Sequence, residues 1–277
     1  MHNVSEETLT DAVIATMAGT NDPRTRELLA CLVKHLHAFI RETRLTEEEW
    51  LAAIRFLTAT GQKCDDTRQE FIMLSDTLGA SAMKDLVLQR GATGATEASL
   101  LGPFYREGAP ELPSGADIAA GAVGESALVS GQVRTPDWKP LAGALLDVWQ
   151  ASGDGLYDVQ DPSIPDMGLR GRFRTDAQGR YSFRTVKPCA YPVPVDGPVG
   201  DMLKATNRHP YRPGHIHFML SAGGYRPLIT ELFVEGDPSL DSDPVFGVRD
   251  SLVVPFISNG AGEPVYQVEY DFVLQPA

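Results

Sequence analysis

The strongest constraint on the fold is a series of short alternating segments that fills the chain after about residue 100. In these segments apolar residues alternate with polar ones, and glycine and proline separate one segment from the next. No helical periodicity lies between them, which favours an antiparallel β-sandwich or barrel over alternating strands and helices. The candidate strands are ALVSGQVR, ALLDVWQ, GRFRTD, YSFRTV, HIHFMLS, LITELFV, SLVVPF and YQVEYDFVL, and TDAQGRYSF is typical of a hairpin.

The earlier part of the chain has a helical pattern instead. Asp22 and Pro23 form a helix start signal, and apolar residues then recur at helical spacing. Two further starts have a threonine followed three residues later by a glutamate, as in a capping box: Thr46 with Glu49, and Thr67 with Glu70. The second of these is predicted to begin one helix that carries EFIMLSDTLGASAMKDLV and ends before Gly91. We therefore expect a mainly β protein with an N-terminal helical segment, divided into residues 1–98 and residues 99–277.

Composition excludes several classes of partner. The chain of 277 residues has a formal net charge of −13, which argues against a nucleic-acid partner because such binding depends on basic residues. No stretch approaches about 18 consecutive apolar residues, and the start MHNVSEETLT does not look like a secretion signal. We therefore expect no membrane segment and a cytoplasmic location. Cys31, Cys64 and Cys189 lack a metal-binding spacing and are interpreted as buried small apolar residues.

Two histidines in the segment HIHFML have a spacing that suits a metal site. His215 and His217 are two residues apart in a predicted strand, so both side chains point to the same face. Two ordinary histidines in a sheet would give the same pattern, and this alternative stays open. His35 and His37 have the same spacing, but in a helix they would point about 200° apart. We interpret that second pair as ordinary helix residues.

A catalytic metal needs further ligands and an open position. The sequence has no HxD or HExxH motif that would supply a carboxylate in the usual way. Tyr157 and Tyr191 lie instead in irregular, proline-bounded segments, GLYDVQDP and CAYPVPVDGP, and such loops often carry functional residues. A phenolate is a hard anionic ligand suited to a ferric ion, whose charge would lower the pKa of a tyrosine. From the residues alone, this ligand set is one hypothesis among several.

Six separated segments resemble, in order, the intradiol ring-cleavage dioxygenases of aromatic catabolism. They are LGPFY, DVWQASGDGLYDVQ, GRFRTDAQGRYSFRTVKP, YPVPVDGPVGDML, RHPYRPGHIHF and LFVEGDP. The resemblance runs from about residue 66 to about residue 256. It is greatest to the members that cleave hydroxyquinol, followed by those that cleave chlorocatechol and catechol. It implies a helical dimerisation region before residue 99 and a catalytic β-sandwich after it.

The resemblance also implies a non-haem Fe(III) bound by four residues in their matching motifs: Tyr157, Tyr191, His215 and His217. Arg212 matches the family's active-site arginine, whose cation would stabilise negative charge that develops on the substrate ring. The implied reaction begins when a catechol-type substrate binds through two adjacent oxygens and Tyr191 accepts a proton. Both atoms of O2 then enter the product, and the ring opens between the two hydroxyl-bearing carbons.

The family's substrate pocket corresponds to residues from several short segments. They are Met73, Asp76, Leu100, Gly102, Pro103, Phe104, Val193, Pro194, Val245 and Arg212. Most are apolar, as a flat aromatic ring requires. A carboxylate beside such a ring is costly unless it accepts a hydrogen bond, for which a third ring hydroxyl would serve. Asp76 therefore indicates hydroxyquinol (benzene-1,2,4-triol) as the substrate, with 3-hydroxy-cis,cis-muconate or maleylacetate as the product.

Alternatives to this assignment stay open. Asp76 would have a purely structural role if it bridged nearby helices, and the substrate would then be catechol or a chlorocatechol. Glu231 departs from the family pattern, which has glutamine in catechol-cleaving members and more often histidine in hydroxyquinol-cleaving ones. If Glu231 faces the site, its charge requires Arg212 or a protonated partner nearby.

The apolar stripe of the N-terminal helices predicts a homodimer formed through these helices. The family also implies that a lipid can lie at that dimer interface. Two other functions fit the residues less well: a metal-free β-sandwich carrier of aromatic ligands, and a zinc or ferrous hydrolase built on the HxH pair. The carrier has no reason to bring two tyrosines and two histidines together, and the hydrolase would normally need a carboxylate ligand.

Overall fold

The computed structural model describes residues 3–91, 93–119 and 121–277. The α-helices in these ranges are α1 (Leu9–Ala15), α2 (Pro23–Thr43), α3 (Glu47–Gln62), α4 (Glu70–Thr77), α5 (Ala80–Leu88) and α6 (Pro198–Ala205). The strands are β1 (Ser126–Arg134), β2 (Leu145–Gln150), β3 (Arg170–Arg174), β4 (Arg180–Val186), β5 (Tyr191–Pro192), β6 (Tyr211–Arg212), β7 (His215–Ser221), β8 (Leu228–Val234), β9 (Val253–Val254), β10 (Ile257–Ser258), β11 (Tyr266–Glu269) and β12 (Phe272–Val273). The predicted fold class, mainly β with N-terminal helices, is confirmed. Within the described ranges, no helix combines the length and the apolar character that crossing a membrane would require.

The chain divides into two compact units, the first 58 residues and residues 59–277. In the first unit, the Asp22 carboxylate accepts hydrogen bonds from the backbone N–H groups of Arg24 and Thr25, so α2 begins where the sequence predicted. Thr46 and Glu49 form the expected capping box at the start of α3. No residue of α2 is buried, and the helix exposes a stripe of large apolar side chains: Leu28, Leu29, Leu32, Leu36, Phe39 and Ile40.

Three local predictions are wrong. Thr67 does not cap a helix, because its hydroxyl donates to Asp65 and α4 begins only at Glu70. The apolar segment that follows forms two short helices instead of one, because Gly79 has a left-handed φ of 71° between α4 and α5. The cysteines are exposed or partly exposed, so their interpretation as buried residues is also incorrect.

Two five-stranded sheets form the β-sandwich of the second unit. One sheet has the strand order β3-β2-β7-β8-β9, and the other has the order β10-β11-β1-β12 with β4 paired to β1. Apolar side chains from both sheets pack in a shared core, which includes Val129, Val133, Leu146, Val148, Phe173, Phe183, Ile216, Phe218 and Phe272. The strands β11 and β12 pair parallel to β1, and β9 pairs parallel to β8, so the sheets are mixed and not purely antiparallel as predicted.

Some strand predictions need correction. The segment TDAQGRYSF is not a hairpin, because β3 lies in one sheet and β4 in the other, and the turn at Gly179 connects the two sheets. The segment SLVVPF contributes only β9, since residues Asp250–Leu252 form a 3-10 turn. The segment YQVEYDFVL is divided into β11 and β12.

The topology brings distant parts of the chain to one end of β7. This strand lies between β2 and β8, and His217 pairs across the sheet with Trp149 on one side and with Glu231 on the other. A small separate ladder pairs Tyr191 of β5 with Arg212 of β6, immediately before β7 begins. Strand register, not sequence proximity, therefore assembles the candidate site.

Candidate active site

His215 and His217 are buried, and their Nε2 atoms lie 3.2 Å apart. The Nδ1 atom of His215 lies 2.7 Å from the Pro213 carbonyl oxygen, and the Nδ1 atom of His217 lies 3.2 Å from the Leu100 carbonyl oxygen. Because a carbonyl oxygen only accepts hydrogen bonds, each Nδ1 carries the proton and each Nε2 presents its lone pair. Trp149 stacks on His217 at a centroid distance of 4.8 Å and fixes the plane of that ring. The two lone pairs therefore converge on one point.

Tyr157 and Tyr191 add two phenol oxygens to this convergence. The Tyr191 Oη lies 3.0 Å from the Tyr157 Oη and 3.2 Å from the Nε2 of His215. Ligand atoms that share one metal ion at about 2 Å are themselves about 3 Å apart, so the observed spacing suits a common metal. Burial raises the pKa of Tyr191 to about 12 and that of Tyr157 well above its usual value. Ionised phenolates in this pocket therefore require a cation, and the four atoms fit a metal ion.

Tyr157 lies in the loop between β2 and β3, where a buried ion pair holds the backbone. The Asp158 carboxylate accepts hydrogen bonds from the Nε and Nη2 atoms of Arg170 at 2.9 and 2.6 Å, and from Arg106 at 2.6 Å. The Nη1 of Arg170 donates to the Phe104 carbonyl oxygen at 2.8 Å. Both members of the Asp158–Arg170 pair have side chains that are 1% exposed. The only sign of this support in the sequence is a charged residue directly after the tyrosine, which does not by itself predict a buried ion pair.

Arg212 is buried and lies between two carboxylates. Its Nη1 donates to the Oε1 of Glu231 at 2.8 Å and lies 3.0 Å from the Nε2 of His215. Its Nε and Nη2 donate to the two oxygens of Asp243 at 3.1 and 3.3 Å. A guanidinium held on both edges has little rotational freedom, so its position relative to the histidines is fixed.

Glu231 faces the site, and Arg212 is the positively charged partner that its carboxylate needs there. In addition to Arg212, the Ser99 hydroxyl donates to its Oε2 at 2.5 Å and the Leu100 backbone N–H donates at 3.2 Å. The same hydroxyl lies 2.7 Å from the carbonyl oxygen of Gly247. Burial raises the pKa of Glu231, but the charge of Arg212, the two neighbouring histidines and the hydrogen bond from Arg212 together outweigh this effect, and the pKa is lowered. The carboxylate is therefore ionised and fully bonded.

Gly247 packs directly against the charged groups around Arg212. A Cβ at this position would lie 2.8 Å from the Nη2 of Arg212, 3.0 Å from the Oε2 of Glu231 and 3.2 Å from the Oδ2 of Asp243. Its backbone N–H donates to the same Asp243 oxygen at 3.0 Å. Gly247 and Asp243 could not be predicted from the sequence, because both lie in a segment without strand or helix periodicity.

The loop before β1 supplies four of the expected pocket residues, and three of them approach the convergent side chains. The Leu100 carbonyl faces His217, and the Phe104 ring lies 4.8 Å from the Tyr157 ring. A Cβ at Gly102, whose φ is 73°, would lie 3.1 Å from the Cε1 of His217, so only glycine allows the loop to approach this closely. These residues cover one side of the four convergent side chains.

Pro103 is the fourth pocket residue of this loop, and the other expected pocket residues lie on neighbouring segments. The Pro103 carbonyl accepts a hydrogen bond from the backbone of Gln69 at 3.3 Å, which connects the loop to the start of α4. Four of them are buried, namely Met73, Asp76, Val193 and Val245, whereas Pro103 and Pro194 are partly exposed. Among the described residues, no hydrogen bond or ring contact connects Met73 or Pro194 with the four convergent side chains. Their place in the pocket stays a prediction.

Asp76 is buried on α4, and burial raises its pKa to about 6. Ser81 of α5 and the positive charge of Arg212 each lower this pKa in part. The proximity of Ser81 agrees with the structural alternative for Asp76, a bridge between two helices. The nearby guanidinium shows that Asp76 also lies beside the site, so both roles fit the same position.

A second possible ligand set shares the two histidines. Within the described ranges, His215, His217 and Glu231 form a group of histidine and carboxylate side chains close enough to share a metal ion. The Oε1 of Glu231 lies 3.4 Å from the Nε2 of His215 and 3.4 Å from the protonated Nδ1 of His217, and both carboxylate oxygens already accept hydrogen bonds. The Tyr191 Oη lies closer to the Nε2 of His215, at 3.2 Å, and the Tyr157 Oη lies 3.0 Å from the Tyr191 Oη. The two tyrosines therefore fit the metal better than Glu231 does.

Comparison with known proteins agrees with these features. Residues 22–96 match the family model described as the catechol dioxygenase N terminus, and residues 100–276 match the model described as dioxygenase. The chain is 49% identical to a 6-chlorohydroxyquinol 1,2-dioxygenase of Cupriavidus pinatubonensis, over 100% of this chain and 99% of the relative. It is 46% identical to a hydroxyquinol 1,2-dioxygenase of a Rhizobium species, over 97% of this chain and 95% of the relative.

Solved structures give the same result. A hydroxyquinol 1,2-dioxygenase from Pseudomonas putida superimposes with a TM-score of 0.86 at 46% identity, covering 98% of this chain and 99% of that chain. A catechol 1,2-dioxygenase from an Acinetobacter species gives a TM-score of 0.86 at 27% identity, covering 100% of this chain and 94% of that chain. The fold and the matched families together identify the chain as a dioxygenase. More narrowly, the chain belongs to the intradiol ring-cleavage dioxygenases, a family of enzymes that use non-haem iron.

Proposed function

We propose that the chain binds Fe(III) through Tyr157, Tyr191, His215 and His217 and cleaves hydroxyquinol between its adjacent hydroxyl groups. The observation that carries this proposal is the convergence of two phenol oxygens and two imidazole lone pairs at spacings of 3.0–3.2 Å. When bound, Fe(III) would supply Lewis-acid and electron-accepting chemistry to the substrate ring. The expected product is 3-hydroxy-cis,cis-muconate or its tautomer maleylacetate.

The side chains around this point have separate tasks. The phenolate form of Tyr191, which a bound cation would favour, accepts a proton from a substrate hydroxyl, because its Oη lies where the candidate ligand atoms converge, 3.0 Å from the Tyr157 Oη and 3.2 Å from the His215 Nε2. Arg212 presents a fixed cation to negative charge that develops on the ring. Phe104 and Leu100 are buried and exclude water from the same space.

The choice of hydroxyquinol depends on Asp76 and on the relatives. Three catalogued relatives with 46–49% identity are named as hydroxyquinol or chlorohydroxyquinol 1,2-dioxygenases. A buried carboxylate beside the ring gains most from a substrate with a third hydroxyl, because that hydroxyl supplies a donor that catechol lacks. Catechol and chlorocatechols are the alternative substrates.

Oxygen uptake by the iron-loaded protein with hydroxyquinol, catechol and 4-chlorocatechol tests the substrate. We expect a preference for hydroxyquinol that Asp76→Ala reduces, while catechol turnover changes little. Equal effects of Asp76→Ala on both substrates would contradict the role of Asp76. A higher kcat/KM for catechol or 4-chlorocatechol in the unmodified protein would contradict the substrate assignment but not the iron chemistry.

Iron content and the visible spectrum test the ligand set. Tyrosinate bound to Fe(III) gives a red colour by charge transfer, so Tyr157→Phe should weaken this band and His217→Ala should lower the bound iron. His37→Ala is the matched control, because that side chain lies on α2 and is hydrogen-bonded to Thr10. A colourless purified protein that stays colourless with added Fe(III) would favour a carrier or a zinc enzyme.

The remaining proposals concern assembly and location. The exposed stripe on α2 supports a homodimer formed through the N-terminal helices, with residues 1–98 as the dimerisation region and residues 99–277 as the catalytic domain. Leu32→Glu should convert the dimer to a monomer in analytical ultracentrifugation, whereas Glu42→Gln on the same helix should not. A lipid at this interface would be found by extraction and mass spectrometry. We also propose a cytoplasmic location.

A further inference from the structure

The helix that carries Asp76 is held at both of its ends by groups from α6 and the residues that follow it. At the start of α4, the Glu70 carboxylate accepts a hydrogen bond at 3.3 Å from the backbone N–H of Val199, in the first turn of α6. At the end of α4, the Thr77 carbonyl oxygen accepts a hydrogen bond at 2.7 Å from the Nη1 of Arg208, which lies shortly after α6. The second contact is made by the residue next to Asp76 in the chain.

The backbone of Arg208 is fixed by the way α6 ends. Its N–H donates to the Leu203 carbonyl oxygen at 2.9 Å. The preceding residue, Asn207, has a left-handed φ of 54° and donates its N–H to the Lys204 carbonyl oxygen at 3.1 Å. These two bonds form the Schellman pattern that closes many helix C-termini. The side chain of Arg208 therefore extends from a backbone that the helix end holds in place.

The other half of the Arg208 guanidinium binds the segment at residues 243–247. Its Nη2 donates to the Pro244 carbonyl oxygen, and its Cζ lies 5.3 Å from the centre of the Phe246 ring. The Phe246 ring also packs against the turn between α4 and α5, because a Cβ at Gly79 would lie 3.5 Å from it. A guanidinium presents its N–H groups in a rigid planar fork, so it holds two carbonyl oxygens at a set spacing. Arg208 therefore joins the end of α4 to this segment.

The segment at residues 243–247 is in turn bonded to Arg212. Its Asp243 carboxylate accepts hydrogen bonds from the Nε and Nη2 of Arg212 at 3.1 and 3.3 Å. A series of bonded groups thus runs from Arg212 through this segment and Arg208 to the residue next to Asp76. Because each connection is short, the series sets the distance between the Asp76 end of α4 and the guanidinium in the active site.

We propose that Arg208 is a positioning residue that determines specificity: by holding the end of α4 against residues 243–247, it keeps the Asp76 carboxylate where a third ring hydroxyl can donate to it. Arg208 acts through Asp76 and not by contact with the substrate. This inference rests on the proposed function, in which Asp76 binds the hydroxyl that catechol lacks. Placement matters because a displacement of about 1 Å in an active site can cost about 100-fold in rate.

A purely structural role for Arg208 leads to a different expectation. If Arg208 only stabilised the fold, its loss would lower stability and would affect hydroxyquinol and catechol alike. If it positions Asp76, the loss falls on hydroxyquinol, because a displaced carboxylate no longer meets the third hydroxyl while catechol has no such group to lose. The ratio of the two substrates therefore separates the two roles.

Calorimetric titration without oxygen gives the Kd of the iron-loaded protein for each substrate, and oxygen uptake gives kcat/KM. Arg208→Met removes both donors and should weaken hydroxyquinol by about threefold to tenfold in both measurements, while catechol changes by less than about twofold. Arg208→Gln, whose amide can reach only one of the two carbonyls, should have an intermediate effect, and it serves as the test if Arg208→Met does not fold. Arg184→Met, at an exposed position of β4, is the matched control and should leave both substrates unchanged. Urea melts report stability separately.

The double variant completes the test. In an Asp76→Ala background, Arg208→Met should not lower the ratio of hydroxyquinol to catechol any further, because the group that it positions is absent. Equal weakening of both substrates by the Arg208 variants, an unchanged ratio in these variants, or a further fall of the ratio in the Asp76→Ala background would each overturn the inference.

Failure of the proposed function would give a different result. The unmodified protein would then show no preference for hydroxyquinol, or Asp76→Ala would weaken both substrates equally, and the inference about Arg208 would fall with it. If the unmodified protein prefers hydroxyquinol through Asp76 and only the Arg208 variants keep that preference in full, the proposed function stands and the inference about Arg208 alone is wrong.

Discussion

Replacement of Gly247 by alanine tests whether the position of Arg212 controls the reaction. The added Cβ would lie 2.8 Å from the Nη2 of Arg212, whereas ordinary contacts begin at 3.4 Å, so the guanidinium must move by about 0.6 Å. The φ of Gly247 lies outside the left-handed region, so the effect is steric and not conformational. We expect a loss of about 1–3 kcal/mol in the free energy of unfolding from overpacking. A displaced charge should also lower kcat by about 10-fold to 100-fold, with a smaller change in KM.

The matched control is Gly223→Ala, because no atom lies within 4 Å of a Cβ at that position. Urea unfolding, iron content and steady-state oxygen uptake should be measured for both variants. Gly223→Ala should behave as the unmodified protein in all three measurements. If Gly247→Ala kept full kcat although its stability fell as expected, the proposed role of a fixed Arg212 would be refuted.

Three further predictions concern other parts of the molecule. Burial raises the pKa of Asp76 from 3.8 to about 6, so the folded protein holds a proton that the unfolded chain releases, and stability falls as pH rises through this interval. Asp76→Asn should therefore be more stable than the unmodified protein above about pH 6, by up to about 3 kcal/mol, and similar to it near pH 3, in urea melts at each pH. Asp158→Asn should lose about 3–5 kcal/mol because Arg170 is left buried without its charged partner, whereas Glu111→Gln, at an exposed pair, should lose less than about 1 kcal/mol in the same melts. Removal of the metal by a chelator should abolish both oxygen uptake and the visible band, and added iron should restore both.

The sequence predicted those parts of the site that depend on local periodicity. His215 and His217 converge because side chains in a strand alternate with a period of two, and His35 and His37 do not because they lie on a helix. Tyr157 and Tyr191 could not be chosen from the residues alone, since their loops have no periodicity. The resemblance to a family was needed to select them. The same limit explains why Asp158, next to Tyr157, was not recognised as its support.

Strand pairing over long distances accounts for most of the differences in the fold. A period of two identifies a strand but does not identify its partner, so the parallel pairing of β1 with β11 and β12 could not be predicted. The turn at Gly179 was recognised from its residues, yet the strands on either side belong to different sheets. Local signals therefore gave the elements of the sandwich, and contacts between distant segments determined how they pair.

The departure of Glu231 from the family pattern has a physical explanation in its surroundings. Register places this residue opposite His217, where an unpaired carboxylate would be strongly unfavourable. Three donors surround it instead: the guanidinium of Arg212, the hydroxyl of Ser99 and the backbone N–H of Leu100. A glutamine would direct an N–H2 group towards at least one of these donors, and only the Ser99 hydroxyl could turn to accept it while donating to the Gly247 carbonyl. An ionised glutamate satisfies all three donors and neutralises one side of Arg212, so this residue serves to hold the arginine and not to bind the metal.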